Sequence, residues 1–308
     1  MVTPIEIEAA WRRIQAYVRV TPTLKLETGA LGLSGATWLK LELLQVTGSF
    51  KPRGAFNRIL SNPVPPAGVV AASGGNHGLA TAYAARILGL KAEIFVPTIS
   101  SPVKQQRLRE QGATLHVIGD HYMVALAACN QRQHETGALN VHAYDQPETI
   151  AGQGSTGREL EMQAPDLDTV LVAVGGGGFI AGIAAWYRGR VKLVAVEPDT
   201  SQCLAAAFAA GQPVDVSVSG VAADSLGATR IGTLAWEICR QYVAQTVTVS
   251  NEAITETQRR LWQELRLIAE PGGATALAAL LSGAYVPDPD ERVGVLVCGA
   301  NADLAKFI

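Results

Sequence analysis

Two kinds of mostly apolar run alternate along this chain. Short continuous runs over 37–42, 69–72, 92–96, 114–118, 169–174, 192–196 and 293–297 predict strands, because adjacent apolar positions suit a strand buried on both faces. Longer stretches over 78–88, 103–111, 122–135, 148–161, 180–187, 252–268 and 274–281 carry apolar residues at helical spacing and predict helices. Strand and helix in alternation imply an α/β fold with parallel sheets covered by helices on both faces. Periodicity alone leaves open whether the strands make one sheet or two.

A chain of 308 residues exceeds the size at which one core keeps growing, so two lobes with a cleft between them are expected. The boundaries fall as a small lobe, 48–145, inserted into a larger one built from 1–47 and 146–308. The stretch Asn62-Pro63-Val64-Pro65-Pro66 is rigid and extended, which marks a connection.

Composition narrows the function classes. Hydrophobic residues make up 48%, enough for a sizeable core, and 25 basic against 27 acidic residues leave a net charge of -2. Such a balance gives no field for gripping a polyanion, so no nucleic-acid partner is expected. The opening, Met1 to Glu8, is acidic and lacks a basic segment followed by an apolar core, and no apolar run is long enough to span a bilayer. A cytoplasmic protein without a membrane partner is the expectation. Cys129, Cys203, Cys239 and Cys298 form no Cys-x-x-Cys pair, and His77, His116, His121, His134 and His142 form no i, i+4 pair. Neither a metal site nor a disulfide framework is predicted.

The chemistry concentrates in five places. The first is Thr47-Gly48-Ser49-Phe50-Lys51-Pro52-Arg53-Gly54, where Lys51 follows a tight turn, sits beside an aromatic ring and opens a helix. A lysine captures aldehydes only as the free amine, so this setting makes Lys51 a Schiff-base candidate rather than a solvated surface lysine. The second, Ser73-Gly74-Gly75-Asn76-His77-Gly78, lies between a strand and a helix and offers a hydroxyl, an amide and backbone N–H groups to a carboxylate. Ser73 or Asn76 taken alone would be a helix cap. The third, Gly175-Gly176-Gly177-Gly178, removes every Cβ that would keep a phosphate from backbone N–H groups.

That loop has a rival meaning. Gly176, Gly178 and Ala181 fit a dinucleotide-binding fingerprint, with Glu197 ending the next strand, so a nicotinamide-dependent dehydrogenase is an alternative. It leaves Lys51 and Asn76 without a role. One aldehyde, one phosphate and one carboxylate employ all three features. The fourth and fifth places are Glu270-Pro271-Gly272-Gly273 and Val297-Cys298-Gly299-Ala300-Asn301, each an ordinary turn by itself.

In this order, from Thr21-Pro22-Thr23-Leu24 to Asn301, the five motifs resemble the fold-type II pyridoxal phosphate enzymes, and among them the serine/threonine dehydratases and serine racemases. The resemblance implies a two-lobed fold like that of the tryptophan synthase β chain, pyridoxal 5'-phosphate between the lobes, and a homodimer. It assigns Lys51 to the Schiff base and to Cα proton removal, and Phe50 to packing on the ring. It assigns Asn76 to the phenolic oxygen and Gly175, Gly176, Gly177 and Gly178 to the phosphate. Cys298 would face the pyridine nitrogen, with Gly220 and Glu270 as further cofactor contacts. Ser73 would take part in catalysis, and Ser73, Gly75, Asn76 and His77 would hold the substrate carboxylate.

The implied reaction is β-elimination from L-threonine, L-serine or a related β-hydroxy amino acid, giving a 2-oxo acid and ammonia. No segment follows Ile308 for a regulatory module, so an unregulated degradative role is expected. A β-replacement synthase and a racemase are the alternatives that keep the cofactor. Three departures from the family pattern bear on substrate. Gly74 stands where racemases carry a serine, Cys203 stands where cation-binding members carry an aspartate six residues after the glutamate, and Leu79 replaces a usual glutamine. The Ser219 to Gly227 stretch also differs from the family's Ala-Asp-Gly pattern.

Overall fold

Parallel strands buried on both faces, joined by helices, organise the protein; its structure, a computed structural model, describes residues 1–303. The strands are β1 (Thr23–Lys25), β2 (Thr37–Lys40), β3 (Val69–Ala72), β4 (Ala92–Val96), β5 (Thr114–Val117), β6 (Leu139–Asn140), β7 (Thr169–Ala173), β8 (Lys192–Pro198), β9 (Val243–Val249) and β10 (Val293–Leu296). They form two sheets. One runs β1-β2-β10-β7-β8-β9 and the other β5-β4-β3-β6, with every pairing parallel except β1 on β2.

Side-chain alternation builds the smaller sheet's two faces. Val69 and Ala71 of β3 point into one apolar cluster with Ile94 and Val96, whereas Val70 and Ala72 join Phe95, Ala125 and Cys129 on the other. The larger sheet is enclosed by helices that include Pro147–Gln163, Gly178–Tyr187 and Pro271–Leu281. The first helix, Pro4–Ile14, is set by a capping box between Thr3 and Glu6 and by Pro4 in its first turn. It touches both units: Ile7 and Ala10 join the larger core, Ile14 the smaller.

Sheet order decides where chemistry can occur. β10, last in the chain, inserts between β2 and β7, so the loops after β7 and β10 leave the sheet side by side. Carboxyl ends of parallel strands are where α/β proteins build their clefts. An antiparallel bridge from Ser49 to Gly299, with the Phe50 N–H donating to the Cys298 carbonyl at 3.3 Å, straps the Lys51 turn across the end of β10.

Candidate active site

Lys51 opens the helix Lys51–Leu60, and Arg53 in the same turn anchors it. Arg53, wholly buried, donates from Nε and Nη2 to Glu42 at 2.8 and 2.7 Å and from Nη2 to both Glu159 oxygens at 3.1 Å. Lys40 completes the cluster on Glu159 and the Thr21 carbonyl. Two buried cations thus face two buried carboxylates, the arrangement that makes burying charge tolerable.

The cleft is lined by Phe50, Lys51, Asn76, Tyr144, Gly175 to Phe179, Ser225, Leu226, Glu270, Gly272 and Cys298. The Lys51 Nζ donates to the Ala143 carbonyl at 3.0 Å and lies over the Phe50 ring. Loss of solvent pulls its ammonium down to about 8, despite the opposing pull of Cys298 and Glu270. The Phe50 ring is stacked on Phe179, with centroids 3.9 Å apart.

The glycine loop after β7 enters the helix Gly178–Tyr187 with no side chain capping its first turn, so those N–H groups remain for an anion. Gly177 sits at φ +88°, a left-handed conformation that favours glycine. A methyl group at Gly178 would lie 2.5 Å from the Tyr144 carbonyl oxygen. Across the cleft, Asn76 begins the helix Asn76–Ile87, its Nδ2 donating to Glu270 and its Oδ1 accepting from Asn301 at 2.7 Å. Burial pushes Glu270 up to about 7. Cys298 is buried, donates to the Gly272 carbonyl at 3.4 Å, and is held far above the usual thiol range by desolvation, so it stays protonated.

The structure therefore gathers Phe50, Lys51, Asn76, Gly175 to Gly178, Glu270 and Cys298 around one cleft. Ser73, Gly75, His77 and Gly220 are not among its lining residues. Ser73 accepts from the Gly75 N–H at 3.2 Å in the turn before Asn76, and Gly75 lies against the Asp224 backbone. His77 donates from Nε2 to the Val141 carbonyl at 2.7 Å, and burial lowers its imidazolium to about 3, so the ring is neutral. Gly220, at φ +84°, packs on Thr200 and Asn251.

Glu197, the ribose anchor of the nicotinamide alternative, accepts from the Leu204 and Ala205 N–H groups, both at 2.8 Å, and caps a helix instead. Cys203 donates to the Gly175 carbonyl at 3.1 Å. Among the described residues no three His, Cys, Asp or Glu side chains group as metal ligands. Sequence reasoning passed over Tyr144, whose ring lies against Gly176, and Ser225, which accepts from the Gly272 N–H at 3.1 Å. Tyr144 follows the two-residue strand β6, too short to register as periodicity; Ser225 lies in the Ser219 to Gly227 stretch, which departs from the family pattern and so carries no motif to single it out.

Comparison with known proteins agrees with this geometry. The family model described as pyridoxal-phosphate dependent enzyme matches residues 14–299. Phenylserine dehydratase of Ralstonia pickettii is 35% identical over 96% of this chain and 92% of its own. L-threonine ammonia-lyase of Thermotoga maritima is 34% identical over 99% of this chain and 77% of its own. Among solved structures, maize serine racemase superposes with a TM-score of 0.93 at 30% identity, covering 99% of this chain and 95% of that one. The donor set fits pyridoxal phosphate: a depressed amine for its aldehyde, uncapped backbone N–H groups for its phosphate and an aromatic wall for its ring.

Proposed function

The chain belongs to the pyridoxal-phosphate-dependent enzyme family, and on that footing we propose that it removes the β-hydroxyl of L-threonine, L-serine or a related β-hydroxy amino acid, releasing a 2-oxo acid and ammonia. The observation that carries this reading is the Lys51 amine, held near 8 at the junction of aromatic wall, glycine loop and Asn76. Near neutral pH such an amine is free in part, able to bind an aldehyde and then to take a proton. When bound, the cofactor supplies the electron sink that acidifies the substrate Cα–H.

The protein's own residues do the rest. The Lys51 amine, held at the cleft, would take the Cα proton. The turn Ser73 to Asn76, opening a helix that no side chain caps, offers its hydroxyl and N–H groups to the substrate carboxylate. Gly175 to Gly178 hold the phosphate. Cys298, kept as a neutral thiol, would offer the ring no negative charge, a setting that favours prompt loss of a β-substituent. Incubation with a panel of β-hydroxy amino acids, scored by keto acid released, tests the proposal. Keto acid from at least one member, absent with Lys51→Ala, is expected, and none from any member contradicts it.

One observation favours racemisation as a second activity. The Ser100 Oγ lies 2.8 Å from where a Cβ on Gly74 would stand, so a hydroxyl from the loop after β4 reaches the place that a side chain at 74 would occupy. D-serine formed from L-serine, and abolished by Ser100→Ala, would support it. Keto acid without any D-product would leave elimination as the sole reaction.

A further inference from the structure

Asn301, in the loop after β10, has an amide that joins the three segments that meet at the cleft. Its Nδ2 donates to the Thr47 carbonyl at 2.8 Å and to the Asn76 Oδ1 at 2.7 Å, and its side chain packs on Gly48. The backbone there is fixed as well, with the Ala300 N–H donating to the Gly48 carbonyl at 2.8 Å.

We propose that Asn301 is a positioning residue that sets which way the Asn76 amide faces, and through it the hydrogen bond that Asn76 offers the cofactor. A backbone carbonyl only accepts, so the Asn301 atom facing Thr47 must be the nitrogen. The second hydrogen of that nitrogen requires an acceptor on Asn76, which turns Oδ1 toward Asn301 and the Asn76 NH2 toward Glu270. Glu270 cannot impose this orientation, because a carboxyl group poised near 7 either donates or accepts. The order therefore comes from the Thr47 carbonyl, relayed by Asn301. The inference rests on the reading that Asn76 meets the cofactor ring oxygen.

Four variants test it by cofactor dissociation constant and by the visible absorbance of the loaded protein. Asn301→Asp keeps the shape but can no longer donate toward Thr47 and Asn76. It should weaken cofactor binding about tenfold and shift the absorbance, more than Asn301→Ala does. In an Asn76→Ala background, Asn301→Asp should add nothing. A space-filling role predicts the reverse order, Ala worse than Asp, and an undiminished effect without Asn76; either overturns the inference. If Asn76→Ala alone changes neither readout, the reading of Asn76 and the inference fall together. If Asn76→Ala changes them and Asn301→Asp does not, the inference falls alone. Should Asn301→Asp fail to fold, Asn301→Ala with and without Asn76→Ala completes the same cycle.

Discussion

Arg53→Met tests what holds the lysine-bearing helix in place. The guanidinium donates to Glu42 through two nitrogens, reaches both oxygens of Glu159 and meets the Ser155 hydroxyl at 3.2 Å. With Arg53 gone, Glu42 and Glu159 share a single cation, Lys40, and Glu42 keeps only the Thr21 hydroxyl among these partners. Breaking a buried, hydrogen-bonded pair from one side costs about 3–5 kcal/mol. At about 2–4 °C per kcal/mol for large domains, the midpoint of thermal unfolding should fall by about 6–20 °C. The double variant Arg53→Met/Glu42→Leu removes one charge of each sign and should melt above the single variant, because an apolar pair replaces an orphaned carboxylate. Arg259→Met, which breaks an exposed pair with Glu256, should leave the midpoint unchanged. Melting of the loaded enzyme by differential scanning calorimetry separates the cases. An unchanged midpoint for Arg53→Met, or a double variant no better than the single, refutes the reasoning.

Two further outcomes follow from the cleft. Only the neutral Lys51 amine attacks an aldehyde, so cofactor uptake by the stripped protein should quicken with rising pH, by about tenfold per unit, and level off above about 8; stopped-flow absorbance that keeps climbing to about pH 10, as an unperturbed lysine would require, contradicts the desolvated site. Gly178→Ala drives a methyl group to 2.5 Å from the Tyr144 carbonyl oxygen, a backbone atom that cannot swing aside, and should weaken cofactor binding by about tenfold or more in a titration, whereas Gly35→Ala, with nothing within 4 Å, should leave it unaltered.

Residue patterns carried most of the large elements and most of the chemistry. The strands β3, β4, β7, β8 and β10 are short apolar runs bounded by turns, so period and punctuation coincide. β9 escaped because Val243 follows the helix Thr233–Tyr242 with no Gly or Pro between them, and its alternation is half exposed. The first helix, Pro4–Ile14, carries its start signal in the Thr3 capping box, but its short amphipathic stretch sits outside the strand–helix alternation. β1 and β6 span three and two residues, below the length at which any period can be seen.

The cleft-lining residues are legible in local sequence wherever a glycine-rich turn leads into or out of a regular element: after β7 for Gly175 to Gly178, after β3 for Asn76, after β10 for Cys298, and between two helices for Glu270. Tyr144 and the orienting amide of Asn301 owe their positions to contacts between segments far apart in the chain, which no local spacing encodes. Arg53 is two residues from Lys51 in sequence, but the carboxylates that hold it come from Glu42 and Glu159, and only the folded chain brings them together.

Borohydride reduction of the loaded protein, followed by proteolysis and mass mapping of the pyridoxyl group, tests the central claim directly. A single modified peptide carrying the label on Lys51 is the expected result. A label on another lysine, or none despite bound cofactor, would contradict the assignment of the depressed amine as the group that captures the aldehyde.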